Sequence, residues 1–428
     1  MEAKQYIYIV QASKEKHCCK IGKTINLERR LNEYNNMTGK SKENGFEYLF
    51  TCEVSDMTDV ENAVKNEFSR LRETQSREMY FYNKVLLGDY VDFIKSHKAF
   101  VQEIFIKKEE PKQITKVKFV KKETPTLDER DLSPKDLMQK AKNVNNDEFY
   151  TREEDVEKEL AMYDKGVWRG KTVFCNCDDA VGDDRKNTST SAFALYFLRN
   201  FEKLGLKKLI CTHYSGLVDL FNQGSKAYVF TDDGFTERKD FPKNYTGSFD
   251  DPLSLKMLKE ETDIVCTNPP FSIAIEYWKT IIESGKKFII ISNISNAINT
   301  AYIPYFKENK VWAGYNRVDW YLNPKRQLVD ASGHWYTNIP IENRPKYELL
   351  KIVSLKEIPK KYKKYDDTKT LMVDNCYIPS DYNEPFAISA RPILNGILEK
   401  GYRIVQDKRY TPYINGEEKF ARVLIQKI

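Results

Sequence analysis

Between Thr172 and Ile291 short apolar runs alternate with amphipathic ones, and this rhythm restricts the fold more than any other feature of the chain. Thr172–Cys175, Leu209–Cys211, Ala227–Phe230, Ile264–Cys266 and Phe288–Ile291 have the length and side chains of buried strands. Thr190–Leu204 sets Phe193, Tyr196, Phe197, Asn200, Phe201 and Leu204 at helical spacing, and Gly205 is placed to end that helix. Ile273–Ile282 reads as a further helix. Strand, helix, strand at this spacing predicts an α/β class with a mostly parallel sheet. Such sheets hold ligands at the carboxyl ends of their strands, so the residues that follow each strand are the candidate functional positions.

The rest of the chain sets limits. Its 428 residues suit two or three domains of roughly 150 residues each. No apolar run approaches the ~20 residues of a spanning helix, and Met1–Val10 has the wrong composition for a secretory signal. Of eight cysteines, Cys18 and Cys19 are adjacent, Cys175 and Cys177 are one apart, and the others are scattered. No pair has the two-residue gap that zinc sites favour, which predicts a reduced, cytoplasmic protein without a structural metal. Lys+Arg 69 against Asp+Glu 63 leaves +6, too little for a polybasic protein yet compatible with a local basic groove. Lys107–Lys122 alternates Lys with single apolar residues and runs on through Glu123, Pro125 and Pro134. Residues 106–142 therefore read as a basic linker, either a solvated tether or a strap across a phosphate backbone. It separates a unit of about residues 1–105 from a larger one beginning near Asn143.

The strand Ile264–Cys266 is followed by Thr267 and then by Asn268-Pro269-Pro270-Phe271. The exocyclic nitrogen of adenine is a poor nucleophile because its lone pair is delocalised into the ring. Accepting hydrogen bonds from both amine hydrogens draws that nitrogen towards a tetrahedral geometry. Asn268 can supply a side-chain carbonyl and Pro269 a backbone carbonyl, while the two prolines keep the turn stiff. Phe271 offers a flat face for a base extruded from a duplex. The plainer alternative is a Pro-Pro turn with Asn268 serving local backbone groups and Phe271 in a core.

Thr262 to Ser272 resembles motif IV of amino-methylating DNA methyltransferases, most closely the EcoRI methylase family. Asp147-Glu148-Phe149-Tyr150-Thr151 resembles the family's N-terminal cofactor motif, and Val173 to Asp179 resembles its first-strand motif, with Asp residues in place of a Gly-rich loop. Tyr365-Asp366-Asp367 and Ile378 to Tyr382 resemble its C-terminal region. The resemblance implies a Rossmann-like methyltransferase sheet, S-adenosylmethionine as donor, N6-methyladenine as product and double-stranded DNA as partner. It divides the larger unit into a core at 143–300 and, at 301–428, the completion of the fold with a target-recognition region. Tyr150, Thr151, Asn176, Asp178 and Asp179 are its cofactor residues; Asp178 and Asp179 could equally serve loop solvation and helix capping. The second strand ends in Thr212-His213-Tyr214, leaving the donor's ribose without an acidic partner; Asp232 or Asp233, after the strand ending at Phe230, is the alternative. Beyond Ser292, Trp312, Trp320 and Trp335 are interleaved with Arg317, Lys325, Arg326 and Arg344, and Lys360 to Lys364 follow. Aromatics among cations suit a surface that tracks phosphates and stacks bases, or a solvated face.

At the N-terminus, Tyr6–Val10 is a strand, Asn26 can cap a helix carrying Leu27, Leu31 and Tyr34 inward, and Thr58 opens another with Val60, Val64, Phe68 and Leu71 inward. This pattern resembles the GIY-YIG nuclease superfamily, in the branch common in phage proteins, and implies a small α+β domain. Tyr8 matches the first half-motif and Lys20-Ile21-Gly22 the second, with Lys20 where many members have Tyr. Arg30 matches the phosphate-binding arginine, Tyr34 a position often held by His, and Glu61 the carboxylate that holds Mg²⁺. Each has an alternative: Glu61 can complete a capping box with Thr58, Tyr8 can be a strand aromatic, and Arg30 can pair with Glu33. The leading expectation is a site-specific adenine methyltransferase joined to an endonuclease, a restriction-modification protein in one chain. The alternatives are an N-terminal domain that only binds DNA, or an inactive DNA-binding regulator. Target sequence and oligomeric state leave no mark in the sequence.

Overall fold

The computed structural model describes residues 4–428 except 13–16, 38–44, 74–77, 105–148, 182–189, 215–224, 239–240, 242–244, 271–272, 324–326, 343–349, 359–362 and 374–375. The expected linker at 106–142 lies outside the described residues. So do Phe271, Lys325, Arg326, Arg344, Lys360 and Lys361. The chain divides into two compact units, Met1–Lys140 with Phe230–Thr236, and Ala141–Val229 with Glu237–Ile428.

The first unit is built on strands β1 (Gln5–Ala12), β2 (Cys18–Thr24), β3 (Phe46–Val54), β4 (Met79–Phe81) and β5 (Phe100–Glu103), in the order β4-β2-β1-β3-β5. All four pairings among these strands are antiparallel. Ile7, Tyr8, Ile9 and Val10 are all buried, so the central strand is covered on both faces. Helices α1 (Leu27–Met37), α2 (Met57–Glu67) and α3 (Lys84–Ser96) each begin at a polar cap. Asn26 accepts from Arg29 N at 2.9 Å, and Asn83 accepts from Leu86 N at 2.8 Å. Asp56, rather than Thr58, caps α2 by accepting from Thr58 N and Asp59 N, so Glu61 completes no capping box with Thr58.

In the second unit, α4 (Glu153–Leu160) precedes β6 (Thr172–Cys175), α5 (Ala192–Leu204), β7 (Lys208–Thr212) and β8 (Ala227–Thr231); β9 (Gly234–Glu237) comes next in sequence, its residues to Thr236 counted with the first unit. They are followed by β10 (Ile264–Thr267), α6 (Ala274–Glu283), β11 (Lys287–Asn293), β12 (Trp312–Leu322) and β13 (Leu328–Thr337). The expected strands are all present. The expected helix from Thr190 starts two residues later because Ser191 caps it, and Gly205, at φ 64°, ends it as expected.

The sheet order is β12-β13-β11-β10-β6-β7-β8-β9. Strands β11, β10, β6 and β7 are parallel, whereas β13 runs antiparallel to β11 and to β12. The sheet is therefore mixed rather than mostly parallel at this edge, because a turn of five residues between β12 and β13 permits only an antiparallel pair. The order reverses at β6: β7 lies on one side and β10 on the other, which opens a crevice at their carboxyl ends. One apolar cluster runs from Phe174, Val265 and Ile290 through Trp278 and Tyr336 to Phe386 and Ile425, so the small C-terminal sheet shares the same core.

Candidate active site

The reversal at β6 brings the two strongest motifs together. Asn176, Cys177 and Asp178 follow β6, and Asn268 follows β10. Thr267, the last residue of β10, donates its hydroxyl to Asn176 O at 2.9 Å across 91 positions. On the other side, Thr212 at the end of β7 donates to Asn176 Oδ1 at 3.0 Å and accepts from Cys177 N at 3.0 Å. Three strand ends are thus tied at one point. Cys177 takes a φ of 60°, the left-handed conformation that glycine adopts without cost, and this tight turn stands where a Gly-rich loop is more usual.

Asn268 is held in one orientation. Its Nδ2 donates to Phe149 O at 2.8 Å, while its Oδ1 is buried and has no hydrogen-bond partner. Pro269 is buried, and Pro270 O accepts from Ile273 N at 3.3 Å as the chain turns into α6. The next residue after Phe149, Tyr150, bridges to Leu322 at the end of β12, with N–H···O distances of 2.8 and 2.9 Å in the two directions. Thr151 is buried and its hydroxyl is without a partner. The segment that resembles a cofactor motif therefore lies beside Asn268 in space as well as in resemblance.

Asp178 is 9% exposed, and burial pushes its carboxyl up to about 7. Ser191 donates to Oδ1, while Oδ2 is buried and unpartnered. Asp179 faces differently: its Oδ2 is 2.7 Å from His213 Nδ1 at the end of β7, and its Oδ1 accepts from Val181 N. Its carboxylate is engaged with the loop and the neighbouring strand. Asp232 and Asp233 are exposed in the β8–β9 turn.

Buried polar atoms in folded proteins nearly all find partners. Among the described residues seven side-chain atoms do not, four of them on Trp168, Trp278, Tyr321 and Trp335, and the other three, Thr151 Oγ1, Asp178 Oδ2 and Asn268 Oδ1, fall on the three motifs that meet at the switch point. A ligand bringing a cation and hydrogen-bond donors would satisfy them, so the residues fit the donor expected from the resemblance. Sequence reasoning missed Ser191, Thr212, Thr267 and the Phe149 carbonyl. Only Ser191 left a signal, as a polar residue just ahead of an apolar helical run.

The candidate residues of the first unit also gather. Register pairs Tyr8 with Gly22, and a Cβ at Gly22 would stand 2.6 Å from Tyr8 Oη, so only glycine lets the Tyr8 ring lie across β2. Tyr8 and Tyr34 hydroxyls are 2.7 Å apart. Burial, then the bond to Tyr34, raises the Tyr8 phenol far above its usual range, so it remains protonated. Lys20 Nζ and the Arg30 guanidinium lie 5.4 and 5.7 Å from the Tyr34 ring centre. Arg30 also pairs with Glu33 at 3.0 Å. Glu61 is 6% exposed, and its Oε2 lies 3.2 Å from Lys23 Nζ and 3.0 Å from Lys65 Nζ. Two ammonium groups at one carboxylate oxygen neutralise it, so Glu61 as arranged does not fit the role of a Mg²⁺ ligand. Among the described residues no group of three His, Cys, Asp or Glu side chains could hold a metal ion. No described helix is long and apolar enough to cross a membrane.

Comparison with known proteins bears on both units. The family described as "Adenine-specific methyltransferase EcoRI" matches residues 137–407, and the T5orf172 domain matches residues 5–103. The type II methyltransferase M.EcoRI of Escherichia coli is 30% identical over 329 residues, covering 68% of this chain and 96% of that protein. The type II methyltransferase M.MgeORF184P of Mycoplasma genitalium is 30% identical over 333 residues, covering 67% and 98%. M.MpnI of Mycoplasma pneumoniae is 26% identical over 334 residues, covering 67% and 97%. No solved structure matches the chain.

Proposed function

The chain belongs to the EcoRI family of adenine-specific methyltransferases, and from that premise we propose that it methylates N6 of adenine in double-stranded DNA with S-adenosylmethionine as donor. The observation that carries the proposal is Asn268, whose amide nitrogen is engaged by Phe149 O and whose oxygen is buried and open. That oxygen accepts one amine hydrogen of the target adenine, and the Pro269 carbonyl accepts the other. Both acceptors are fixed before substrate arrives, so little reorganisation accompanies the reaction. Asp178 would hold the ammonium of the donor, and Tyr150 and Thr151 would line its pocket. Asn176 keeps the ends of β6, β7 and β10 in register rather than reacting. Asp179 acts through the loop that it and His213 hold. When bound, the donor supplies a methyl group already activated on a sulfonium, so the protein needs no strong base. Phe271 is retained as the stacking residue of the resemblance. Incubating the protein with isotopically labelled donor and duplex DNA, then analysing the bases, tests the proposal. Label in N6-methyladenine supports it, and label in no base overturns it.

For the T5orf172 unit, the resemblance implied metal-dependent cleavage through Tyr8, Lys20, Arg30 and Glu61. The neutralised Glu61 and the protonated Tyr8 favour the alternative, a GIY-YIG-like module that grips a phosphate backbone without cutting it. Lys20, Arg30 and the phenols of Tyr8 and Tyr34 supply cations and donors for such a grip. Unmethylated plasmid incubated with the protein and Mg²⁺ separates the two: an intact plasmid supports the module, and cutting lost in Glu61→Ala restores the endonuclease.

A further inference from the structure

Strand β13 pairs with β11 from Thr337 opposite Ile289 to Gly333 opposite Asn293, where β11 ends. Its first five residues, Leu328–Ser332, continue past that end, together with the last residues of β12 from Val318 onward. A hairpin about 15 Å long thus overhangs the carboxyl edge of the sheet, the edge that carries Asn268. It is anchored beside Asn268. Leu322 bridges to Tyr150, the Phe149 ring packs edge-on against Tyr321 at 6.3 Å, and Phe149 O holds the Asn268 amide.

The two faces of the overhang differ. On one, Tyr321 is fully buried and lies across Gly333, where any Cβ would collide with its hydroxyl. On the other, Trp320 is 45% and Leu328 58% exposed, with Leu322 between them in the pairing register. The chain has five tryptophans. Trp168, Trp278 and Trp335 are fully buried, and Trp312 donates its Nε1 to Ile339 O. Trp320 is therefore the indole left open to a partner.

We propose that the β12–β13 overhang is a DNA-contacting arm whose Trp320–Leu328 face packs against nucleobases beside the target adenine. The inference rests on the adenine-methylating reading above. An adenine inside a duplex cannot reach Asn268 until it leaves the stack, and its departure exposes apolar base faces. A flat indole and an aliphatic side chain on an arm at that edge cover those faces and favour the opened state.

The test uses the full chain, Trp320→Ala, Leu328→Ala and Trp320→Phe. Methylation is measured on a duplex with the target adenine opposite thymine and on one with it opposite an abasic site, where it is already unpaired and leaves the helix at lower cost. Trp320→Ala is expected to lose about tenfold or more in rate on the paired duplex and to recover most of it on the abasic one. Leu328→Ala follows with a smaller loss, Trp320→Phe retains most of the rate, and donor affinity by calorimetry is unchanged in all three. Equal loss on both duplexes, or no loss, overturns the arm. In parallel, duplex DNA should quench wild-type tryptophan fluorescence, and Trp320→Phe should remove that quenching. Should the wild type methylate neither duplex, the adenine reading fails while the quenching still decides whether the arm meets DNA.

Discussion

Asp178 gives the sharpest quantitative expectation. Its carboxyl is raised from 3.8 to about 7 by burial first, with the neighbouring charge of Asp179 adding to it. In the unfolded chain the same group ionises near its ordinary value. Between about pH 4 and 7 the native state consequently holds a proton that the unfolded state has lost, so this residue's contribution to stability falls as pH rises through that window. About three pKa units at ~1.4 kcal/mol each give a destabilisation on the order of 4 kcal/mol once the site is ionised above pH 7. Asp178→Asn keeps the shape and the acceptor for Ser191 but cannot ionise. Urea unfolding of the donor-free protein between pH 5.5 and 8.5 should find the variant more stable than wild type at pH 8. The gap should shrink by about 1.4 kcal/mol per unit as pH falls below 7. Glu159, also raised to about 7, is present in both proteins and cancels in the difference. A gap that does not change with pH, or a wild type more stable at pH 8, would refute the reasoning. The same logic makes donor binding release a proton below pH 7, visible as a buffer-dependent heat that Asp178→Asn abolishes.

Other expectations follow from single side chains. Glu159 is fully buried and accepts from Tyr315 N at 2.8 Å, from Asn316 N at 2.7 Å and from the side chains of Asn316 and Tyr163. Glu159→Gln turns an amide donor towards donors, and chemical denaturation should report a loss of about 2–4 kcal/mol; a loss of less than about 1 kcal/mol would contradict Glu159 as the group that fixes the backbone at Tyr315 and Asn316. Glu61→Gln removes the carboxylate that Lys23 and Lys65 share and leaves Lys65 beside Glu78 at 3.5 Å, so DNA affinity at low salt should rise and the slope of log affinity against log salt should steepen by about one. An unchanged slope removes Lys23 from the surface that meets phosphates.

Much of this was legible in the sequence, and the remainder was hidden for identifiable reasons. Thr172–Cys175 and Ile264–Cys266 read as buried strands because they are short, apolar and rich in β-branched and aromatic side chains. Asn268-Pro269-Pro270 read as a site because a stiff turn with open carbonyls after a buried strand has few other uses. Trp312, Trp320 and Trp335 read alike as surface aromatics because cations are interleaved with them, yet Trp335 is fully buried and Trp312 half-buried, and register shifts in β12 break the alternation that would otherwise set Trp320 on the same face as Trp312. The Asp179–His213 pair needed the parallel register that sets Cys175 beside Cys211, which no local pattern reveals. Lys65 stands one helical turn beyond Glu61 on α2, a spacing the sequence shows, but Lys23 reaches Glu61 from β2, 38 positions away, and no local pattern reveals that contact. The Phe149 carbonyl is backbone, and backbone leaves no signature.

Adenine methylation by Asn268 and its neighbours can be read directly in DNA. DNA from cells expressing the wild type, or Asn268→Ala at equal level, can be sequenced for N6-methyladenine, with donor affinity of both purified proteins measured alongside. Methylated adenine is expected at a defined sequence with the wild type and about 100-fold less with the variant, whose donor affinity is retained. Adenine left unmodified by the wild type, or modified equally by both, would contradict that role.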